Sequence, residues 1–457
     1  MSFNHGSTAI HLSAIQSFSV LSPMNIVIVG AGPAGLFLAH QLLALSSSYR
    51  IQIYDCNPAP TDLEPLSTRG FGLGLGARVR QWLNGIEELG KDLASEGIEL
   101  QPGDLILIPR RQLCALLLRS LLLRYGDRTP DEHARLSVNF NASVVEVDLV
   151  RRQIEIERES GSEIVTYDLL VGADGIHSLV RRAMMVSQPE QTQFQQQQRP
   201  HVWKVLQLPI QPELQQAPPR ILRLQTRRTS SGLVFGGCLP QKQGGFIALI
   251  FWQPMSDRDR LNPDGITTLE ELQQLLQEMA PNTVPALKVD PDRAAAFLAA
   301  TPGHEYWSQC RRYHDLEGQA VLLGDAAHGM FSLLGQGCTA AIADAVALSS
   351  LLQQYGNQLA IALPQFSAQQ VPEGHAASDL SLIALVFYHR WFGLLYKVAT
   401  VLWVVLLRQP SIFAQLNQVD AQYVQVLRKN QLWVWLAQKL LPTPLSNVSW
   451  TDEPDLI

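Results

Sequence analysis

The sequence predicts an α/β protein with a Rossmann-type domain, an inserted antiparallel-sheet domain and a helical C-terminal extension. Three patterns support this architecture: an apolar run followed by closely spaced glycines at 26–35, strand-like runs between 221 and 252, and a mostly helical pattern from Ala376 onward. A chain of 457 residues has room for about three domains of roughly 150 residues each. No repeat of fixed period is present, which argues against solenoids and propellers.

The first unit has the pattern strand, helix, strand. The run 26–29 ends at Gly30, residues 36–45 have a helical pattern, and the next strand, 51–54, ends at Asp55. In such a fingerprint the three glycines allow the tight turn, the close approach of a pyrophosphate and the packing of helix on strand. The turn predicts dinucleotide binding by Gly30, Gly32, Ala34 and Gly35, with Asp55 placed to bind a ribose.

A second glycine run, 72–76, lacks a convincing strand before it, so it does not predict a second nucleotide-binding unit. Residues 187–219 are rich in Gln and Pro and predict a solvated loop excursion. Strand-like runs at 221–224, 232–235 and 245–252 then predict an antiparallel sheet, and Ala320–Leu323 a buried strand. Helices are expected at 268–279 and 339–352.

Composition narrows the class of protein. Charged residues make up 17% of the chain, against about 25% in typical soluble domains, and the net charge of -6 includes no strongly basic block. Nucleic acid is therefore not expected as a partner. The five cysteines are scattered and odd in number, which argues against a disulfide framework or a metal site and favours a reducing, cytoplasmic setting.

The first 23 residues contain no Lys or Arg and no long apolar core. They therefore lack the features of a secretory signal and predict a flexible leader. Because Met24 stands directly before the first strand, it is a candidate for the true start of translation.

Two later segments resemble the flavin motifs of the class A flavoprotein monooxygenases, the para-hydroxybenzoate hydroxylase family. Residues 168–181, with Asp174 in an Asp-Gly pair, resemble the first of these motifs. The second motif is similar to the run Gly324-Asp325-Ala-Ala-His328 together with the later Gly335-Gln336-Gly337 loop. Arg110 matches an arginine that lies near the FAD in this family. The motifs occur in family order. Within the family, the order and coverage are most similar to the kynurenine 3-monooxygenase branch.

The resemblance implies FAD as cofactor, NAD(P)H as co-substrate and O2 as oxidant. In such a family a flavin C4a-hydroperoxide hydroxylates or epoxidises an aromatic or apolar small molecule, and no protein nucleophile is needed. We therefore predict cofactor-binding residues and no catalytic one. The domains expected are a leader (1–23), an FAD-binding domain in two parts (24–186 and 301–365), a substrate domain (187–300) and a helical C-terminal extension (366–457).

Each motif residue also has a plain structural interpretation. Asp325 follows a buried strand, where it can bind a ribityl or ribose hydroxyl or simply cap a helix. Asp174 can cap a turn instead of serving the cofactor. His177 and His328 are given no acid or base role. On the substrate side we expect Trp203, Phe235 and Trp252, which as aromatics can equally be ordinary core residues.

The chain departs from the family pattern at three places, so the substrate stays open: there is no tyrosine between Leu83 and Arg110, Ser332 stands in place of a proline, and Thr339 stands in place of an asparagine. Two other functions remain as alternatives. One is an FAD-linked dehydrogenase or reductase of an isoprenoid, and the other is a non-catalytic flavoprotein.

The C-terminal extension contains an apolar stretch at 382–407. His389, Arg390 and Lys397 interrupt it, so no uncharged run is long enough to predict a membrane-spanning helix. The simpler interpretation is a helix packed over the core. The alternative is peripheral membrane contact through an interfacial helix, with Trp391, Tyr396 and Trp403 at the headgroups.

Overall fold

The computed structural model describes most of the chain, in the ranges 23–60, 72–100, 105–126, 134–214, 219–230, 232–242, 244–283, 285–356, 358–384, 390–406 and 408–440. The predicted leader, except for its last residue, lies outside the described residues.

A five-stranded parallel sheet forms the centre of the first domain. Its strands are β1 (Met24–Val29), β2 (Tyr49–Tyr54), β6 (Leu136–Asn139), β10 (Leu169–Gly172) and β16 (Ala320–Leu322). Their order in the sheet is β16-β10-β1-β2-β6, and every pair of neighbours is parallel. The central strands are almost fully buried, as their β-branched and leucine-rich sequences predict for a sheet covered on both faces. The predicted Rossmann-type core is confirmed, and it takes its last strand from far along the chain.

Helices cover this sheet and connect its strands: α1 (Pro33–Leu45), α2 (Ala77–Asn84), α3 (Leu89–Glu96), α4 (Arg110–Tyr125), α5 (Leu179–Ser187) and α8 (Gly337–Gln354). Two small antiparallel sheets lie beside it. One has the order β3-β5-β4, from β3 (Gly72–Leu75), β4 (Ile98–Leu100) and β5 (Leu105–Pro109). The other has the order β7-β8-β9, from β7 (Ser143–Asp148), β8 (Gln153–Arg158) and β9 (Gly161–Thr166).

The inserted domain is built on a five-stranded sheet of order β12-β13-β14-β11-β15, in which all paired neighbours are antiparallel. The strands are β11 (Phe194–Leu208), β12 (Leu222–Thr229), β13 (Gly232–Pro240), β14 (Phe246–Trp252) and β15 (Gly303–Cys310). The helices α6 (Leu269–Met279) and α7 (Pro291–Ala299) pack on one face and enclose a separate apolar core.

The prediction of a solvated loop at 187–219 is wrong for residues 194–208. Residues 194–208 form β11, which pairs with a strand on each side. Polar composition did not prevent burial, because the amide of Gln195 donates to the amide oxygen of Gln309 across the sheet at 2.9 Å. The antiparallel sheet also extends beyond residue 300, since its edge strand β15 begins at Gly303.

The C-terminal extension is helical, as the sequence pattern predicts. Its helices are α9 (Leu359–Ser381), α10 (Arg390–Val405), α11 (Ile412–Leu416) and α12 (Tyr423–Leu440). They enclose an apolar core shared with Trp307 of β15 and with Phe331 and Leu334, which lie just before the Gly335-Gln336-Gly337 loop. The extension is thus packed against the part of the molecule that holds the sequence motifs. Among the described residues, no helix combines the length and the apolar character needed to cross a membrane.

Candidate functional site

The turn between β1 and α1 has a shape that its glycines require. Gly30 has a φ of 106°, and a β-carbon there would overlap the carbonyl oxygen of Ala173. A β-carbon on Gly35 would overlap the Gly30 carbonyl, so helix and strand approach closely. Helix α1 begins with Gly32 at its N-cap and Ala34 buried in its first turn, and no side chain caps it within the described chain. Its first N–H groups are therefore free to bind an anion.

Asp55 lies beside this turn, at the end of β2. One carboxylate oxygen accepts a hydrogen bond from the backbone N–H of Ala31 at 2.8 Å, and the other accepts from the backbone N–H of Asn57 at 2.8 Å. The carboxylate therefore braces the turn. Its half-buried position leaves part of it open on the side where a ribose is expected.

Asp174 combines the two roles that the sequence left open. One carboxylate oxygen accepts from the N–H groups of Leu179 and Val180, at 2.7 and 3.3 Å, and so caps α5. The other oxygen is buried and has no hydrogen-bond partner among the described residues. Burial raises the pKa of Asp174. A buried acceptor without a donor is expected where a ligand's hydroxyl completes the site.

Arg181 joins the two segments that resemble flavin motifs. It is fully buried and donates to the carbonyl of Ile176 at 2.6 Å and to the carbonyl of Ala326 at 2.9 Å. Its guanidinium lies 4.0 Å from the ring centre of Phe194, the first residue of β11. Arg181 is the last residue of the motif at 168–181, and the sequence indicates no role for it. Only the fold shows that it holds the two motifs together.

Asp325 lies near Arg110, which borders the first turn, and the surface between the two is here called the recess. Gly324 has a φ of 60°, and it and Ala326 are buried while Asp325 itself is exposed. Crowding by protein atoms nevertheless raises the pKa of the Asp325 carboxyl, against the opposing charges of His328 and Arg110. Arg110, at the start of α4, reaches toward Gly32: its guanidinium lies 3.3 Å from where a β-carbon on Gly32 would be. Gly32, Arg110 and Asp325, from distant parts of the sequence, therefore lie near one another.

A buried ion pair supports this recess from behind. The His328 Nε2 lies 2.7 Å from a carboxylate oxygen of Asp344, which also accepts the Gly324 N–H at 2.9 Å. Both side chains are at most 2% exposed. Burial alone would lower the pKa of His328, but the Asp344 carboxylate outweighs it and raises that pKa above the usual value. Sequence reasoning gave His328 no role, because its partner Asp344 lies 16 residues further along the chain.

The Gly335-Gln336-Gly337 loop, here called the ring loop, leads into α8. Gly335 is exposed with a φ of 64°, and α8 begins at Gly337, so the N-terminal end of an 18-residue helix points into the loop. Gln336 is buried, and its amide oxygen accepts the hydroxyl of Tyr423 at 3.1 Å. Nothing in the local sequence indicated this contact, because Tyr423 lies in the C-terminal extension.

Ser332 anchors the segment before this loop. Its backbone N–H donates to a carboxylate oxygen of Glu305 at 3.0 Å, and its hydroxyl donates to the same oxygen. The other oxygen of Glu305 lies 3.5 Å from the buried guanidinium of Arg199. The serine found in place of a proline therefore ties the loop to the edge strand of the antiparallel sheet.

The aromatic residues expected on the substrate side lie on opposite faces of that sheet. Trp203 and Phe251 are cross-strand partners, and Phe251 is also paired with Phe235. The two phenyl rings are stacked, with centres 5.1 Å apart and planes 3° apart. For Trp252 the alternative interpretation, an ordinary core residue, is the correct one. It points to the other face, where its indole donates to the carbonyl of Asp259 at 2.8 Å within the helix-covered core. Because successive side chains of a strand point to opposite faces, Phe251, and not Trp252, lies on the face of Trp203 and Phe235.

The assembled features fit a dinucleotide. An uncapped helix N-terminus, a buried acceptor on Asp174 and an exposed carboxylate on Asp325 are suited to pyrophosphate and hydroxyl groups. The exposed loop at Gly335, backed by a helix N-terminus, is suited to a planar group that gains negative charge.

Comparison with known proteins agrees with these features. A family described as an FAD binding domain matches residues 102–359, which is more than half of the chain. Among curated proteins, kynurenine 3-monooxygenase of Sus scrofa is 23% identical over 393 residues, covering 80% of this chain and 78% of the relative. Kynurenine 3-monooxygenase of Drosophila willistoni is 27% identical over 376 residues, covering 78% of each.

Solved structures share the fold. The tetrameric form of 2-methyl-3-hydroxypyridine-5-carboxylic acid oxygenase aligns with a TM-score of 0.58 at 20% identity, over 78% of this chain and 90% of that one. CabE, an aromatic hydroxylase from angucycline biosynthesis, aligns with a TM-score of 0.60 at 18% identity, over 89% of this chain and 76% of that one.

Proposed function

Since this chain belongs to the FAD-binding domain family of the class A flavoprotein monooxygenases, we propose that it uses NAD(P)H and O2 to hydroxylate or epoxidise an aromatic or other apolar small molecule. It is an FAD-dependent monooxygenase. The bound flavin supplies the electron transfer and oxygen activation that no amino acid side chain provides. The work left to the protein is to bind and orient the flavin, stabilise its charge and keep water away from it.

One observation carries the proposal for the site: motifs far apart in the sequence lie next to one another. Gly30 lies against Asp174, Arg110 lies near Gly32, and the charges of Arg110 and Asp325 act on each other and on Cys338, directly after the 335–337 loop. We assign the pyrophosphate to Gly30, Gly32, Ala34, Gly35 and the N-terminus of α1, because glycine backbone and an uncapped helix end form that turn. In the same proposal Asp55 binds the adenosine ribose.

The remaining cofactor contacts follow from charge and exposure. Asp325 accepts a ribityl hydroxyl, and Arg110 reaches across the recess toward the phosphates. Asp174, through its unpaired oxygen, accepts a further hydroxyl or a bound water. Gly324 provides the left-handed turn that points Asp325 outward.

The ring end of the flavin is assigned to Gly335, Gln336 and Gly337. The N-terminus of α8 would stabilise negative charge on the ring by up to about 2 kcal/mol in a partly buried geometry. The aromatic row of Trp203, Phe251 and Phe235 forms the proposed substrate wall, because it lies on the sheet face that also carries Glu305, the partner of the ring-loop segment.

The first test is an anaerobic titration of the purified yellow protein with NADH and with NADPH, following the bleaching of the flavin. Each titration is run alone and with kynurenine, other aromatic acids and isoprenoids. Bleaching that a ligand stimulates, followed by O2 consumption with formation of an oxygenated product, is the expected result. Bleaching without O2-dependent product formation would favour a dehydrogenase or reductase. No bleaching under any condition would favour a non-catalytic flavoprotein.

The cofactor assignment has its own test. We expect Asp325→Ala to purify with much less FAD than the wild type, because the recess loses its exposed carboxylate. Asp264→Ala serves as a control, since this aspartate also has an unusual backbone, with a φ of 54°, but belongs to the inserted domain. Equal flavin content in the wild type and Asp325→Ala would refute the ribityl role.

We also propose peripheral membrane contact through one face of α10. Six of its exposed apolar residues recur at helical spacing and so lie on one side, here called the α10 face: Leu394, Leu395, Val398, Val401, Leu402 and Val405. Such a patch on a helix without a covering element in the described chain fits a lipid surface. The sequence-based assignment of Tyr396 to the headgroups is wrong, since Tyr396 is buried and packs edge-on against Trp433 at 5.0 Å.

Membrane contact is tested by co-sedimentation of the full chain with phosphatidylcholine–phosphatidylserine vesicles. The double variant Leu395→Asn/Leu402→Asn should bind several-fold less than the wild type, because both side chains are about half exposed or more and lie on the α10 face. Leu123→Asn is the matched control, since Leu123 is 81% exposed on α4. Equal sedimentation of the double variant and the wild type would reject the membrane proposal.

A further inference from the structure

The last helix of the described residues, α12, begins beside the Gly335-Gln336-Gly337 loop. Tyr423 is the first residue of α12 and is 2% exposed. Its hydroxyl donates to the amide oxygen of Gln336, which is 5% exposed, at 3.1 Å. Burial raises the pKa of Tyr423 above its ordinary value, so the phenol is a protonated donor at neutral pH.

The start of α12 is held in place from two sides. The carboxylate of Glu373, on α9, accepts from the backbone N–H groups of Tyr423 and Val424, at 2.6 and 3.4 Å. A carboxylate at a helix N-terminus is favoured by the helix dipole as well as by the two hydrogen bonds. The position of the phenol is therefore fixed by backbone contacts and does not depend on its bond to Gln336.

Arg78 connects the same place to the segment after β3. Its guanidinium donates to the carbonyl of Ala421 at 2.7 Å and lies 4.9 Å from the Trp82 ring centre and 5.3 Å from the Tyr423 ring centre. The guanidinium therefore makes a cation–π contact with each ring. A β-carbon on Gly76 would also overlap the side chain of Asn417, so this segment and the extension are in close contact.

These contacts give Tyr423 a function that the core packing of the extension does not require. We propose that Tyr423 is a positioning residue for the flavin ring loop: by holding Gln336, it makes the C-terminal extension part of the cofactor site. The inference rests on the flavin site proposed above. It predicts that loss of one hydroxyl, 87 residues away in the sequence from Gln336, changes the environment of the bound FAD.

The test compares Tyr423→Phe with Tyr396→Phe in the full-length holoprotein. Tyr396 is a suitable control because it is also a buried tyrosine of the extension, and its hydroxyl bonds within the extension to Thr400. We expect Tyr423→Phe to weaken FAD binding to the apoprotein by about fivefold, the loss of one buried neutral hydrogen bond, and to change the visible circular dichroism of the flavin. Tyr396→Phe should change neither, although both variants can lower the urea midpoint of unfolding.

A double-mutant cycle with Gln336→Leu separates this role from a general structural effect. If the phenol acts through Gln336, Tyr423→Phe should have little further effect on FAD affinity once Gln336 is replaced. Additive effects of the two substitutions, or equal flavin spectra and FAD affinities for Tyr423→Phe and Tyr396→Phe, would overturn the inference and leave the flavin site standing. A wild-type protein that binds no FAD would overturn the site and the inference together.

Discussion

The buried pair of His328 and Asp344 makes the stability of this protein depend on pH in a predictable direction. The pKa of His328 is raised above its ordinary value of 6.5, so the folded state holds this proton more tightly than the unfolded chain does. The stabilisation from the pair is therefore complete below about pH 6.5 and is lost as the pH rises through the raised folded pKa. Asp344→Asn removes the charge that raises this pKa, so the variant should lack this decline of stability with rising pH.

The size of the effect follows from what each substitution leaves behind. Asp344→Asn keeps an acceptor for the Gly324 N–H, and His328 can remain neutral, so we expect a loss of about 1–3 kcal/mol at pH 6. Asp344→Ala leaves two buried donors without an acceptor, and the expected loss rises to about 3–5 kcal/mol. Because Asp344 orients Gly324 and thus Asp325, both variants should also bind less FAD.

The assay is urea unfolding of apoprotein and holoprotein across pH 5.5–8.5, followed by circular dichroism. Asp315→Asn is the matched control. Asp315 is 1% exposed and accepts two backbone N–H groups at 2.7 Å, those of Gln319 and Ala320, but no described histidine pairs with it. The control should lose stability and keep the wild-type dependence on pH. If Asp344→Asn also kept that dependence, the pair would not be its source and the reasoning would be refuted.

Three further predictions concern the turn, the buried arginine and the sheet faces. Gly30→Ala should abolish FAD binding, because the added methyl overlaps backbone atoms. Gly161 also has a positive φ but open space around it, so Gly161→Ala should lower the free energy of unfolding by only about 1–2 kcal/mol and keep FAD bound. The flavin absorbance of the purified variants distinguishes the two outcomes. Arg181→Met should destabilise the protein by about 1–3 kcal/mol for each carbonyl left without its donor, measured by urea unfolding. Trp203→Ala should raise KM for the substrate with little loss of stability, whereas Trp252→Ala should lower stability by about 3–5 kcal/mol; the opposite pattern would contradict the assignment of faces.

Errors in the sequence-based analysis came from features that depend on neighbours. The Gln-rich segment at 194–208 looked solvated because its composition is polar, but it pairs with β15 along 194–198 and with β14 along 202–208, and the amide of Gln195 bonds to that of Gln309. For Trp252 and Tyr396 the sequence left two interpretations open, and packing decided both. Hydrophobicity does not say which face of a strand Trp252 occupies, and the sequence did not show that Trp433 packs against Tyr396.

The sequence by itself determined the class of fold and the segments of the candidate site, because each depends on local chemistry. A βαβ unit is specified by alternating patterns and by glycines whose backbone angles few other residues adopt, and the motifs at 174, 324–325 and 335–337 are short and contiguous. Only the tertiary structure decided the contacts that hold these segments together: Arg181 with Ala326, His328 with Asp344, and Tyr423 with Gln336. Such pairs are separated by up to 145 residues, and the partner of a buried polar group is chosen by packing, which local sequence does not encode.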